Sequence, residues 1–373
     1  MKGARFPQLS SRIQDVRWVD SFDLPSIFDP RALLYKEWHD FVFFDRTQKL
    51  FGLMNFAVHG NPYDGKRGYG AALAFVVTPD GEVHTALDLI PMSDLTVSPY
   101  NPDFLSTKVS VSYLANGSFD IGGEIDKVQL DLNLAVAAPP VNMTQIATDI
   151  SSRHRVTLAM LEAAGEMSQM WDKWVELPRL DVTGTLGVGG KNYTIDTTTG
   201  YQDHEGGRFE WRSVMGWDTG VLLADRTKPG EPAKVSFLFY RYGPSGQSEY
   251  GGIILRTPTG KEKYFASNIT QVVKTGEFMG PRGYIPGVTQ VLYPDYKPYV
   301  PQTTTFSSVD GEDSIEIVFT PNAVCTIVVA GLDLAEITFN EMYCSASLDA
   351  TIDGETYHGT IPCWFESVRP RRR

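Results

Sequence analysis

Apolar and polar positions alternate with a period of two along most of this chain. The cleanest case is 128–136 (VQLDLNLAV), where every second side chain is apolar, as in a strand with one buried face. Residues 37–44 are different. Trp38, Asp40 and Val42 alternate with His39, Phe41 and Phe43, so both faces are largely apolar and the strand is predicted to be covered on two sides. Further strands are predicted at 49–59, 69–78, 82–89, 107–114 and 118–125, with turns at Pro79-Asp80-Gly81 and Asn116-Gly117. From Leu180 onward the same grammar returns. Leu186 and Val188 alternate into Tyr193 and Ile195 about Gly189-Gly190, a two-residue signal for a primed hairpin turn. Strands are then predicted at 219–225, 233–242, 250–257, 263–275, 314–319, 325–330 and 335–339. Residues 350–366 echo the hairpin and place Glu366 beside Trp364 on a closing strand. The proline-rich stretch 280–302 reads as a long loop or a set of edge strands framing a site.

One segment breaks this pattern. In 157–175, Leu158, Leu161, Met167, Met170, Trp171 and Trp174 recur at three- and four-residue spacing, which predicts a helix. It would pack outside a barrel or cover the joint between two domains, where Met and Trp side chains could line an apolar pocket.

Length and composition extend the picture. The 373 residues fit two domains. The expected division is a lead-in over 1–30, a first β-domain over 31–180 and a second over 181–373. The 34 Gly, 23 Pro, 17 Tyr and 20 Phe favour many strands joined by turns, so the class is all-β. A formal charge of -12 argues against nucleic-acid partners. The one basic run, 369–373, reads as a solvated tail. The N-terminal residues lack the apolar core of a signal peptide and no run of about 18 apolar residues occurs, so the expectation is a cytoplasmic protein without stable membrane insertion, a monomer or small homo-oligomer. Cys325, Cys344 and Cys363 lack C-x-x-C spacing and read as reduced thiols. Elbow, P-loop and zincin motifs are missing. No pair among the six His has local ligand spacing, so no metal and no cofactor are expected.

The candidate chemistry lies in 201–211. Tyr201, Asp203, His204, Glu205, Glu210 and Trp211 crowd titratable and aromatic groups into the positions after Gly200, on either side of Gly206-Gly207. Extended backbone puts Tyr201, Asp203 and Glu205 on one face and Gln202 and His204 on the other, unless a bulge at Gly206-Gly207 re-aims one of them. A carboxylic acid in an apolar cavity keeps its proton to higher pH and can protonate an alkene, and aromatic faces stabilise the resulting cation.

The string G-Y-x-D-H-x-x-G at 200–207, after G-T-L-x-V-x-G-x-x-Y at 184–193, resembles the carotenoid 1,2-hydratase and AttH-like family, whose relatives include tocopherol cyclases and lipocalin-like Diels-Alderases. The W-H-D-F string at 38–41 is similar to one that opens the first domain in that family. The resemblance implies two tandem lipocalin-like antiparallel β-barrels, with the helix near their junction. It also implies hydration or cyclisation of a large hydrophobic isoprenoid or polyene substrate by acid protonation of an alkene, or a pericyclic ring closure by shape confinement. In the carotenoid hydratases the proton donor is an Asp supported by His, Tyr and Trp; Asp203 and Asp225 are the candidates here, with His204 orienting the acid or holding the substrate's polar end. Tyr201, Glu205, Trp211, Trp38 and Trp171 are candidate substrate contacts. A common form of the family has Trp two places after the His, where this chain has Gly206. The classes left open are a lyase or isomerase, a non-catalytic lipid carrier using the same cavity, and a hydrolase of polar substrates.

Overall fold

The computed structural model describes residues 16, 20–142, 171–211, 215–225, 228, 230–242, 248–286, 297–330 and 336–370. Twelve strands form the first sheet: β1 (Tyr35–Asp45), β2 (Leu50–Gly60), β3 (Gly68–Val77), β4 (Val83–Pro91), β5 (Leu95–Val97), β6 (Phe104–Ser106), β7 (Val109–Tyr113), β8 (Ser118–Ile125), β9 (Val128–Val136), β10 (Val141–Asn142), β11 (Trp171–Val188) and β12 (Lys191–Arg208). Ten form the second: β13 (Trp217–Leu222), β14 (Lys234–Tyr242), β15 (Ser248–Arg256), β16 (Glu262–Ala266), β17 (Thr270–Thr275), β18 (Arg282–Ile285), β19 (Thr303–Asp310), β20 (Asp313–Ala330), β21 (Glu336–Ile352) and β22 (Glu355–Pro370). Each sheet curls into a nearly closed barrel, β3 and β4 returning against β8 in the first and β16 against β19 in the second. The pairing is antiparallel except for β18, which joins β20 in parallel. The described residues contain no helix of seven residues or more, and the fold is two tandem lipocalin-like antiparallel barrels.

The Gly189-Gly190 hairpin forms as the sequence predicts, with Val188 opposite Lys191. Both glycines have positive φ, 60° and 74°, which a primed turn requires and a β-carbon would strain. Its place in the fold differs from the expectation. β12 pairs with β1 and β11 with β9, so the hairpin closes the first barrel instead of opening the second. The two sheets therefore divide between Arg208 and Trp217 and not at 180/181. Local alternation identifies a hairpin but carries no information about which distant strand it joins. The helix expected over 157–175 falls mostly on 143–170, outside the described residues; from Trp171 onward that segment is strand β11. No bulge at Gly206-Gly207 interrupts the β1–β12 ladder, which runs unbroken from Thr199 to Arg208, so Asp203 and His204 keep the opposite faces that alternation gives them. The irregularities are in the β11–β12 ladder: the extra residue lies in β11 between Trp171 and Lys173 and between Leu177 and Leu180, where Pro178 lacks the N–H a ladder needs, and in β12 opposite Val182/Gly184.

β1 is buried along its whole length because both of its faces are covered. Tyr35, Phe41 and Phe43 enter the first barrel's core with Phe56, Phe104 and Phe119. Val42 and Phe44, on the other face, pack with Val221, Leu223, Ala323, Cys325 and Trp364 of the second barrel. Trp38 joins Trp211, Trp217, Phe339 and Val368 in a further mixed cluster. The two barrels thus share an apolar seam, fastened by Arg46 on Glu231 (2.8 Å) and on the Leu223 carbonyl (2.9 Å). The second barrel has its own core of Phe237, Phe306, Phe319 and Phe365. Beyond that core, Asp218 accepts from Arg241 (2.7 Å), Lys274 (2.8 Å), Arg369 (2.6 Å) and Ser367 (2.8 Å), tying β13, β14, β17 and β22 together.

Candidate functional site

The middle of β12 carries chemistry on both faces. The register with β1 runs Trp38↔Glu205, His39↔His204, Asp40↔Asp203 and Phe41↔Gln202, and residues directly opposite share a face. β11 adds Trp174 opposite Glu205 and Glu176 opposite Asp203. Tyr201, Asp203, Glu205, Asp40, Trp174 and Glu176 thus face the seam, while Gln202, His204, His39 and Glu37 face the first barrel's interior.

At the seam, acids from both barrels converge. The Trp174 indole N–H donates to Asp203 Oδ1 (2.9 Å), and Asn55 Nδ2 donates to Asp40 Oδ1 (2.8 Å). From the second barrel, Glu341 accepts from the Trp364 indole (2.7 Å) and Glu366 from the Trp217 indole. Glu341 and Glu366 are cross-strand neighbours and hydrogen-bonded to each other, which requires one of them to hold a proton. Lys234 pairs with Glu176 and lies 6.0 Å from the centre of the Tyr201 ring. Tyr201 and Trp364 pack at 5.9 Å.

Burial is the first reason these carboxyls hold protons, since desolvation penalises the anion; mutual repulsion is the second. Burial raises Asp203 well above the usual range, helped by Glu205, Glu176 and Asp40 and opposed by the Trp174 hydrogen bond. Glu205 rises through burial, then Glu366, Asp40 and Glu176. Asp40 rises through burial and Glu366, against the Asn55 hydrogen bond. Glu366 rises through burial and Glu341, and Glu341 is pushed up to about 8 by burial and Asp40. These groups keep protons in the folded chain that the unfolded chain has lost. Their contribution to stability is full below the unfolded value and is lost as pH rises, for Glu341 between about 4.5 and about 8. Each acid can add a slope of up to about 1.4 kcal/mol per pH unit within its window. The thermal midpoint should therefore fall between pH 5 and 8, and Glu341→Gln, which still accepts from Trp364, should flatten that fall. A midpoint that is constant or rises over this range would contradict the assignment.

On the other face, His204 lies between two carboxylates, Nδ1 to Asp20 Oδ1 (2.9 Å) and Nε2 to Glu37 Oε1 (2.6 Å). Burial lowers its proton affinity, but the hydrogen bonds to Asp20 and Glu37 outweigh this and the net shift is upward. Glu37 is also held by the Tyr35 hydroxyl (2.5 Å) and the Asp23 amide (2.8 Å). The His39 ring stacks on that of His204, with centroids 3.7 Å apart. Glu37 also accounts for Gly206. A β-carbon there would come within 2.7 Å of Glu37 Cγ, so the space that a Trp would need is filled by the partner of His204.

Of the residues expected from sequence, Tyr201, Asp203 and Glu205 come together at the seam. Trp38 and Trp211 pack with each other (6.5 Å), and Trp211 also packs on Phe209. His204 faces away from Asp203 and bonds to Asp20 and Glu37, so it does not orient that acid directly. Asp225 lies past Leu222, the last residue of β13, with its amide on Glu231; the acids that act on Asp203 are Glu205, Glu176 and Asp40. Trp171 begins β11, and its side chain is outside the described set. Sequence reasoning did not single out Glu176, Glu341, Asp20 or Glu37 and gave Asp40 and His39 only a strand position. Their roles depend on strands distant in sequence, β1 pairing with β12 and the acids of β21 and β22 acting on Asp40 and Glu205 across the seam.

No family model matches the sequence, and a search of curated proteins finds no match. Solved structures do match. A putative AttH from Nitrosomonas europaea is 12% identical with a TM-score of 0.58, over 89% of this chain and 92% of that one. Kievitone hydratase from Nectria haematococca is 11% identical with a TM-score of 0.55, over 95% and 97%. The Diels-Alderase CghA, crystallised with Sch210972, is 8% identical with a TM-score of 0.55, over 96% and 97%. With its two barrels aligned along nearly the full length of these proteins, the chain has the AttH-like, lipocalin-like tandem-barrel fold.

Proposed function

We propose that this chain is an enzyme of the hydratase or cyclase type, acting on a hydrophobic alkene by proton transfer from a buried carboxyl at the seam between the barrels. The observation that carries this reading is the convergence of Asp40, Asp203, Glu205, Glu176, Glu341 and Glu366, all less than 7% exposed, with Lys234 paired to Glu176. So many carboxyls in a dry site cannot all ionise, and those that stay neutral are proton donors at neutral pH. That kievitone hydratase and CghA share the fold is consistent with such an enzyme.

In the proposed step the Asp203 carboxyl adds its proton to one alkene carbon and the π electrons form the new C–H bond. The cation on the other carbon is stabilised by the faces of Tyr201 and Trp364. Water then adds its oxygen and returns a proton to the Asp203 carboxylate, giving the hydrate; capture by a second alkene followed by proton loss gives a ring. Trp174 holds Asp203 in place throughout.

The competing reading is a pericyclase working by confinement, and CghA is the neighbour that favours it. Turnover of a panel of prenylated and polyene substrates in D₂O separates the two. Acid protonation places one deuterium at the carbon that gains hydrogen, whereas a pericyclic closure incorporates none. Unlabelled product, or tight binding without product across the panel, would overturn the acid mechanism.

A further inference from the structure

From the opposite face of β12 we infer that the first barrel holds a divalent transition-metal ion, zinc foremost, on His204 Nδ1, His39 Nδ1 and an oxygen of Asp20, with Gln202 as the fourth ligand. Spacing along the chain gives no hint of this, because Asp20, His39 and His204 belong to three separate segments. The fold brings their ligand atoms within 4.8 Å of one another, and all three residues are buried.

Four features of the cluster point to an ion. The donors are two imidazoles and a carboxylate, the mixed nitrogen and oxygen set that zinc takes. The second ring nitrogen of His204 is hydrogen-bonded to Glu37 (2.6 Å), itself held by Tyr35 and the Asp23 amide; a carboxylate behind a ligating His fixes its tautomer and aim in metal sites. Asp20 and Glu37 are both fully buried on either side of His204, so two carboxyl groups flank this ligand in a dry barrel end where a cation would find its partners already in place. Lastly, Gln202, also fully buried, has its Nε2 3.0 Å from His39 Nδ1 and 3.1 Å from Asp20 Oδ1, while its Oε1 has no hydrogen-bond partner among the described residues. The two ends of an amide have the same shape, and turning it places the oxygen toward the two ligands.

Ligands about 2.1 Å from a tetrahedral ion stand about 3.4 Å apart, so the pairs now 2.9 to 3.1 Å apart have to open and the longest separation, within 4.8 Å, has to close in. The His39 ring also has to turn out of its stack on His204, since planes only 22° apart do not aim both lone pairs at one point. The ion would fasten the segment around Asp20 to β1 and β12, which makes the site structural.

The full-length chain, stripped with a chelator and dialysed, is titrated with zinc alone against a chromophoric chelator, and with cobalt alone while visible absorption is read. The expected result is one equivalent of zinc per chain, a cobalt absorption of low-symmetry type, and a higher thermal midpoint with zinc. Asp20→Asn and His39→Gln should weaken uptake at least about 100-fold, and Glu37→Gln about 10- to 100-fold. Asp203→Asn, on the seam face, should take up zinc as the wild-type chain does, which separates this site from the proposed acid chemistry. Far-UV circular dichroism checks that each variant is folded; if a variant is not, the wild-type titration decides. A stripped wild-type chain that takes up neither ion at micromolar concentration, or folded Asp20 and His39 variants that bind as tightly as wild type, would overturn the site.

Discussion

Asp203→Asn is expected to lower turnover by about 10²- to 10⁴-fold with ligand affinity nearly unchanged. Asparagine has almost the volume of the neutral acid and can still accept the Trp174 indole N–H through its side-chain oxygen, so the seam keeps its shape. What it lacks is a transferable proton. Because Asp203 is already neutral at its raised proton affinity, the substitution adds no buried charge, and the thermal midpoint should move little. An effect on rate without an effect on binding or folding is the mark of a group used in the transition state. The measurement is single-turnover rate beside ligand affinity by fluorescence of the seam tryptophans. Wild-type rates in Asp203→Asn, Glu205→Gln and Glu366→Gln together would show that no acid of this seam drives the chemistry, leaving confinement or carriage as the role.

The largest loss of stability is expected in the second barrel, from Asp218→Asn. Asp218 is 1% exposed and accepts from three cations on three different strands. Burial works against its charge, but Arg369, Lys274 and Arg241 outweigh this and hold its carboxyl well below the usual range. Removing its charge leaves those cations, each less than a third exposed, facing one another, a situation that costs about 3–5 kcal/mol in comparable buried pairs. Denaturant unfolding should register that loss at pH 7. The contribution is present above the unfolded value near 4 and disappears as pH falls through the lower folded value, so wild type and variant should converge in acid. A loss below about 1 kcal/mol at pH 7 would mean that solvent already screens the three cations.

The class of fold was legible in the sequence because period-two alternation and glycine turns are local. VQLDLNLAV needs no knowledge of its partner to be read as a half-buried strand, and Gly189-Gly190 needs none to be read as a turn. Even the two-sided burial of β1 was visible in its apolar faces. The assignment of the 184–208 hairpin to a barrel was not, because pairing with β1 depends on closure of a sheet across some 160 residues. The site shows the same division. Strand alternation placed Asp203 and His204 on opposite faces, and the β1 ladder confirms it, whereas the partners that give each its chemistry come from other strands. Nothing near Asp203 in sequence announces Asp40 or Glu176, and nothing near His204 announces Asp20. The Gly at 206, a departure from the family string when read alone, becomes intelligible once Glu37 is seen above it.

The opposition of Asp203 and His204 on one strand also constrains how this protein can vary. Saturation mutagenesis of positions 201 to 205 should give two interleaved phenotypes: the odd codons, facing the seam, lose turnover in folded protein, while the even codons, facing the barrel interior, lose folded protein itself. Selection on activity and selection on abundance would then act on neighbouring codons independently, and either set could drift while the other is held. Length is different. Inserting or deleting a single residue between Gly200 and Arg208 exchanges the two faces, sending His204 into the acid seam and Asp203 into the barrel. This segment should therefore tolerate substitutions far better than any change in the number of its residues.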